Sequence, residues 1–493
     1  MIKKIPDSSS NCGKLMILIG TMTAAPLLLL PFYPEDMEYA VSFLFPALLS
    51  IVLGMILCFM DKSDSSEVMP RHFTMQRSSL TVLFAWGWGI LTGAVPFILS
   101  HQLSTVQAVF EAVSGFTTTG LSVMDVRITP KIFLFHRSFM QFCGGLGFVM
   151  MMVMLVSGKQ SMNLFQAEGH PDQLMPNLKK TARTIFTMYF SFLVIGTGAY
   201  VLAGMNLFES ICHTMCSLST GGFSTRLGSI GEYHSFAIDI ITVVQMLIGT
   251  TNFAVLLLLT KRKWHQVFRV SEFRFMFVIL IIFVPLTACS LSNGLHISFG
   301  EGFRKALFDI SSALSTTGYS TMSYADWPGF SVGVLILMML IGGGIGSTAG
   351  GLKMTRVYLM LRVTAANIRK RLSPARRIET PHYMKAQGKT FIDPSLVADT
   401  IGFTTCYLFL FIIGTLLITL TEGCDLTAAA FEFSSALGTV GLSFGLTGPT
   451  TGPATLIIEM FGMILGRLEI FIVIIGFASV IRMIKSRFQK NHG

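Results

Sequence analysis

The chain has 493 residues, 52% hydrophobic and 13% charged, with a mean hydropathy of +0.65. Soluble domains carry about 25% charged residues, so this composition excludes a soluble globular protein and requires a bilayer. The net charge of +10 does not call for nucleic acid, because the basic residues cluster at the ends of apolar runs, as at 261–264, 369–371, 376–377 and Lys485, Arg487 and Lys490.

A bilayer crossing needs about 20 apolar residues for about 30 Å of hydrocarbon. Ten runs qualify, near 15–33, 40–60, 79–99, 131–157, 184–203, 236–260, 273–292, 329–366, 397–420 and 455–484. The first follows Lys3 and Lys4 as a secretory signal would, yet it lacks a small-residue cleavage site and reads as a retained helix. Lys and Arg favour the cytoplasmic side in short loops. One threading satisfies them all: both termini inside, Glu35, Asp36 and Glu38 outside, and Arg71, Arg77, Lys179, Lys180, Arg183, 261–264 and 363–380 inside.

A second pattern recurs along the chain. Thr118-Thr119-Gly120-Leu121-Ser122, Thr220-Gly221-Gly222-Phe223-Ser224, Thr316-Thr317-Gly318-Tyr319-Ser320 and Thr439-Val440-Gly441-Leu442-Ser443 share T-x-G-[LFY]-S. The interval is about 100 residues, the mark of a structural repeat. Ahead of the motif lies a helix-like stretch too short to span, as at 106–116, 301–314 and 426–437. Such a stretch suits a re-entrant half-helix. The expected fold is all-α: four parallel helix, half-helix, motif, helix units around one pseudo-fourfold axis. The expected divisions are an extra helix pair at 1–78 and units at 79–160, 161–262, 263–372 and 373–493.

Irregular backbone in lipid leaves N–H and C=O groups unpaired at several kcal/mol each unless it lines a watery cavity. Four such segments on one axis would form a ring of carbonyls able to replace a cation's hydration shell. Glycine permits the φ > 0 angles that turn successive carbonyls inward. Each half-helix would also aim the negative end of its dipole at the axis.

The eight cysteines form no C-x-x-C pair, and the histidines form no H-E-x-x-H pattern. No pair of mid-span aspartates supports an intramembrane enzyme. A transporter for organic solutes would favour inverted repeats over parallel ones.

These motifs, together with 142–149, 342–353 and 463–471, resemble the Trk/Ktr/HKT superfamily, closest to the Trk-type membrane subunit, from about residue 79 to 484. The resemblance implies a K+ uptake channel or transporter of the bacterial inner membrane. In that family, serine at the first filter glycine goes with Na+ permeation; here Gly120, Gly222, Gly318 and Gly441 are all present. The implied K+ ligands are Thr118, Thr119, Gly120, Thr220, Gly221, Gly222, Thr316, Thr317, Gly318, Thr439, Val440 and Gly441. The alternative on the same fold is a Na+-permeable or H+/Na+-coupled symporter. The implied partners are a second copy of the chain, membrane lipid and a cytoplasmic regulatory subunit binding NAD or ATP/ADP, with no nucleotide on this chain itself.

Glu111, Asp309 and Glu432 share one aligned position where the second repeat has His213 after Cys212. They either anchor the half-helices or attract cations at the mouth, and anchoring is the preferred reading. In 342–351, six of ten residues are glycine, at about 1 kcal/mol each in a helix. This predicts a broken helix over close G-xxx-G packing, and the failed surroundings of a nucleotide loop exclude that motif. By resemblance the loop (Gly342, Gly343, Gly344, Gly346, Ser347, Thr348, Gly350, Gly351, with Lys353 beyond it) is a gate. Arg467, read as mid-span and opposite in direction to Glu469, either meets a carboxylate elsewhere or projects beneath the filter. The second is preferred.

Overall fold

The computed structural model describes residues 8–60, 71–147, 150, 178–372, 381–468, 470–476, 478–479 and 482. Two leading helices, α1 (Ser8–Ala24) and α2 (Ala40–Met60), pack along each other. Their contact is close: a Cβ on Gly13 would lie 2.6 Å from the Gly54 carbonyl oxygen, and one on Gly54 2.6 Å from that of Gly13. Small residues allow such backbone approach inside a membrane. Ser50 on α2 then links both neighbours, donating to the Met16 carbonyl at 2.7 Å and accepting from the Trp88 indole at 2.8 Å.

The rest of the described chain repeats one order. An outer helix, a short buried helix, an extended segment and an inner helix recur as α3 (Arg71–Leu99), α4 (Thr105–Phe116) and α5 (Lys131–Leu146); α6 (Leu178–Leu202), α7 (Leu207–Leu218) and α8 (Phe236–Thr250) with α9 (Phe253–Thr260) and α10 (Trp264–Val267); α11 (Ser271–Leu295), α12 (Phe299–Ser315) and α13 (Gly329–Ile341) with α14 (Met354–Leu372); and α15 (Pro394–Glu422), α16 (Leu426–Gly438) and α17 (Pro453–Arg467). A hairpin, β1 (His382–Lys385) and β2 (Gly388–Phe391), precedes α15. No pattern along the chain announced it.

Local chemistry starts these helices. Asn206, Ser298 and Asp425 cap α7, α12 and α16 through their side chains, accepting from Glu209, Glu301 and Thr427 N–H groups at 2.9, 3.2 and 2.9 Å. Pro394 and Pro453 stand first in α15 and α17, where the missing N–H costs nothing. The division expected at 78/79 falls inside α3, while the one at 160/161 lies outside the described residues.

Packing closes a cycle. Each short helix contacts its own inner helix and that of a neighbouring unit: α5 on α7, α8 on α12, α13 on α16, and α17 back on α4.

Six described helices are long and apolar enough to span by length and composition, seven if a bent pair counts as one. Ten continuous runs were expected. The shortfall has a physical source, because the inner helices stop early. The pair α8–α9 bends by 115°, with Asn252 capping α9 by accepting from Ala254 N–H at 2.7 Å. The run at 329–366 is interrupted between Ile341 and Met354. α17 ends at Arg467, with helical residues resuming at 470–476. α5 ends at Leu146, and 151–157 lie outside the described residues.

Candidate functional site

All four short helices end the same way. Thr118, Thr220, Thr316 and Thr439 take φ of 55°, 54°, 58° and 51°, in the left-handed region. Each threonine N–H bonds the carbonyl three residues back (Gly115, Ser217, Ala313, Ala436), at 3.1–3.2 Å. The next N–H bonds the carbonyl five back (Ser114, Cys216, Ser312, Ser435), at 2.8–3.0 Å. This is the Schellman closure, whose left-handed position ordinarily holds glycine. Threonine there costs about 1–2 kcal/mol. Such strain marks a use for the side chain.

Two residues on, Gly120, Gly222, Gly318 and Gly441 return to positive φ, at 96°, 76°, 84° and 99°, while Thr119, Gly221, Thr317 and Val440 between them do not. Alternating handedness turns successive carbonyls to one side of an extended strand. The N–H groups face the other way: those of Gly120 and Gly441 donate to Ser114 and Ser435 hydroxyls at 3.0 and 2.9 Å.

The four segments meet in a ring. A Cβ on Gly120 would overlap the carbonyl oxygen of Gly221, on Gly222 that of Thr317, on Gly318 that of Val440, and on Gly441 that of Thr119. Gly221 is glycine for a different reason: the Gln141 carboxamide fills the space of its Cβ. Gln141 donates to the Gly221 carbonyl at 2.6 Å and accepts from Phe223 N–H at 3.1 Å.

Behind the ring lie buried acids. Glu111 accepts from Ser122 Oγ at 3.0 Å, Val123 N–H at 3.1 Å and Arg137 Nε at 2.5 Å. Asp309 accepts from Thr321 Oγ1 at 2.6 Å and Tyr324 Oη at 2.8 Å. Glu432 accepts from Ser443 Oγ at 2.7 Å and Phe444 N–H at 2.9 Å. In the second repeat His213 Nε2 meets Ser224 Oγ at 3.0 Å. All four are fully buried and each grips the segment after its motif. They are anchors. Outside the spans, Arg127 bonds Asp125 at 2.6 and 2.9 Å and holds its carboxyl down to about 2.

Beneath the ring, residues 342–353 are irregular, with Gly342, Gly346, Gly351 and Lys353 at φ of 69°, 70°, 76° and 80°. Thr348 Oγ1 donates toward the carbonyls of Leu218 and Gly249 and lies 3.2 Å from Thr220 Oγ1. Gly350 N–H donates to Thr316 Oγ1 at 2.9 Å, and a Cβ on Gly350 would overlap Thr439 Oγ1. The loop therefore touches three of the four left-handed threonines. Gly343 packs on Ala349 and Thr250, Gly344 N–H donates to the Thr250 carbonyl, Ser347 Oγ to the Gly344 carbonyl, and Lys353 Nζ to that of Ala349. Glu272 and Asn252 bind Ile345 from outside, at 2.8 and 2.6 Å.

Arg467 is the last residue of α17, not mid-helix. Its guanidinium donates to the Thr348 carbonyl at 2.6 Å and to those of Gly144 and Gly145 at 2.6 and 3.3 Å. The last carbonyls of a helix lack intrahelical partners, so one side chain satisfies the end of α5 and ties it to the loop. Glu469 lies outside the described residues.

Sequence reasoning missed Arg137, Gln141, Asn252, Glu272 and Glu459. Arg137, Gln141 and Glu459 are polar interruptions of apolar runs, the signal already applied to Arg467.

A family profile for cation transport proteins (TrkH) matches residues 47–483. The Trk system potassium uptake protein TrkH of Vibrio parahaemolyticus is 30% identical, over 94% of this chain and 96% of that protein. The Trk system potassium uptake protein TrkG of Escherichia coli is 29% identical, over 95% and 96%. The crystal structure of the potassium transporter TrkH from Vibrio parahaemolyticus superposes with a TM-score of 0.82 at 28% identity, over 95% of this chain and 98% of that one. With its apolar helices, the chain is an integral membrane protein, and it belongs to the TrkH family of cation transport proteins.

Proposed function

We propose that the chain is the pore-forming subunit of a K+ uptake system, and that ions pass through the ring at Gly120, Gly222, Gly318 and Gly441. One observation carries this reading: each glycine abuts the carbonyl oxygen of the next segment in a closed cycle. Only four segments around a common axis can meet so. Thr118–Gly120, Thr220–Gly222, Thr316–Gly318 and Thr439–Gly441 supply the carbonyl and hydroxyl oxygens that stand in for water around K+. The relatives named above are K+ uptake proteins, which favours K+ as the cargo and transport rather than catalysis.

The loop at 342–353 acts as the gate, held under the filter by Thr348, Gly350 and Arg467. Its displacement opens the path. The four units and the leading helix pair are read with the divisions given from the sequence, save that the first unit opens with α3 at Arg71 and not at residue 79, both termini in the cytoplasm of a bacterial inner membrane. A second copy and a cytoplasmic nucleotide-binding subunit complete the assembly, the latter acting on the loop.

Purified protein in liposomes tests the reading with K+, Rb+ and Na+ flux. K+ and Rb+ should pass in preference to Na+. Absence of K+ and Rb+ flux under every gating condition defeats it, and Na+ flux at equal rate turns the reading to the Na+-permeable alternative.

A further inference from the structure

Two of the buried anchors are braced differently. Arg137 and Glu459 occupy the same position counted from the first residues of α5 and α17. In the first unit the position carries a cation, whose Nε lies 2.5 Å from Glu111 and whose Nη2 donates to Ser122 Oγ at 2.8 Å. In the fourth unit it carries a second acid. Glu459 is fully buried, as is Glu432.

Counting protons settles the state of this pair. Thr447 Oγ1 lies 2.5 Å from Glu432 Oε1 and 2.8 Å from Glu459 Oε1. A hydroxyl has one proton to donate, so two ionised carboxylates would leave one oxygen pair in contact with nothing between. One carboxyl must itself be a donor. Glu432 is saturated as an acceptor: the N–H groups of Phe444 and Thr447 reach it at 2.9 and 3.1 Å, and Ser443 Oγ at 2.7 Å. The extra proton therefore sits on Glu459, which donates to Thr447 Oγ1 while Thr447 donates to Glu432. Glu459 Oε2 has no partner, as suits the carbonyl oxygen of a neutral acid better than a buried anion.

We infer that Glu459 is a proton-binding site beside the fourth filter segment, whose bound proton does for residues 443–447 what the Arg137 cation does for the first unit. The inference rests on the conduction reading only for its effect on flux. Loss of the proton sets two buried anions against one hydroxyl, and the segment that Glu432 holds directly after Gly441 loosens. The deprotonated form accumulates as external pH rises, so flux falls on the alkaline side. The charged groups facing Glu459 are Glu432 on α16 and Glu422 at the end of α15, which accepts from Thr455 Oγ1 at 2.5 Å; α4, which also packs on α17, carries Glu111, already paired with Arg137.

Infrared spectra of the full chain in liposomes, with Rb+ flux across a range of external pH, test this. A protonated-carboxyl stretching band should be present at neutral pH, vanish at alkaline pH and be missing in Glu459→Gln. The alkaline fall in flux should be abolished in that variant, whose amide can donate to Thr447 at any pH. Thr447→Val, which removes the hydroxyl that accepts from Glu459 and donates to Glu432, should move the band to higher frequency and keeps the test open if Glu459→Gln does not fold. Absence of the band in the wild-type protein, as a cation bridging two carboxylates would give, overturns the inference. So does a band that survives Glu459→Gln, one unmoved by Thr447→Val, or an unchanged alkaline fall in Glu459→Gln. Failure of all Rb+ flux would count against conduction alone, since the infrared arm still reads the proton.

Discussion

Gly318 faces the carbonyl oxygen of Val440 with no room for a Cβ between them, and it does so at a φ of 84°. Space and backbone angle forbid a side chain independently. Gly318→Ser should displace the fourth segment, lower K+ flux at least tenfold, on the order of 1.4 kcal/mol in barrier terms, and weaken discrimination against Na+. Paired Rb+ and Na+ flux in liposomes measures both. Wild-type selectivity in this variant would remove the contact from the conduction path.

Gln141 holds the Gly221 carbonyl by one hydrogen bond and the Phe223 N–H by another. Gln141→Glu keeps the acceptor and shape but sets a carboxylate oxygen against the carbonyl. A buried group left without its partner costs about 1–3 kcal/mol. The expected result is a loss of K+ over Na+ preference with folding retained, read as the flux ratio alongside gel-filtration behaviour. An unchanged ratio would mean that the Gly221 carbonyl is held by other contacts.

Arg467 links the Thr348 carbonyl to those of Gly144 and Gly145. Arg467→Ala frees the loop on that side, so flux should rise. Arg467→Lys keeps the charge but not the fork that reaches two helices at once, and should fall between. Lower flux from well-folded Arg467→Ala protein would assign the residue to support of the path instead of its closure.

Arg137 and Glu111 form an ion pair only 2% and 0% exposed. Arg137→Met leaves Glu111 buried without its counter-charge, a loss of about 3–5 kcal/mol. Thermal unfolding in detergent should therefore shift strongly. Adding Glu111→Gln removes the stranded charge and should recover most of the loss. Additive effects would show that the two residues act separately.

Much of the site was legible because its chemistry is local. The left-handed turn and the alternating backbone belong to a five-residue motif, and six glycines within 342–351 advertise a break. Gly144 and Gly466, within stretches that marked the family resemblance, have an equally local look but a tertiary cause: a Cβ on either would overlap the half-helix carbonyls of Phe116 and Leu437. The inner helices misled, since runs such as 236–260 stay apolar on average despite Asp239, Gln245 and Asn252. Hydropathy does not register a bend made by one capping asparagine.

The amino-acid order by itself determined residence in a membrane, four copies of one motif and the glycines each needs, because apolar length and backbone freedom are properties of short stretches. It also told that Arg467 had to find a partner. Which groups stand face to face was decided only in three dimensions: Thr348 against Thr220, Gln141 against Gly221, Arg137 against Glu111, and Glu459 where a cation stands in the first unit. These contacts join different helices and several join different repeats. Their energies depend on burial and on a few tenths of an ångström, and no periodicity along the chain encodes either.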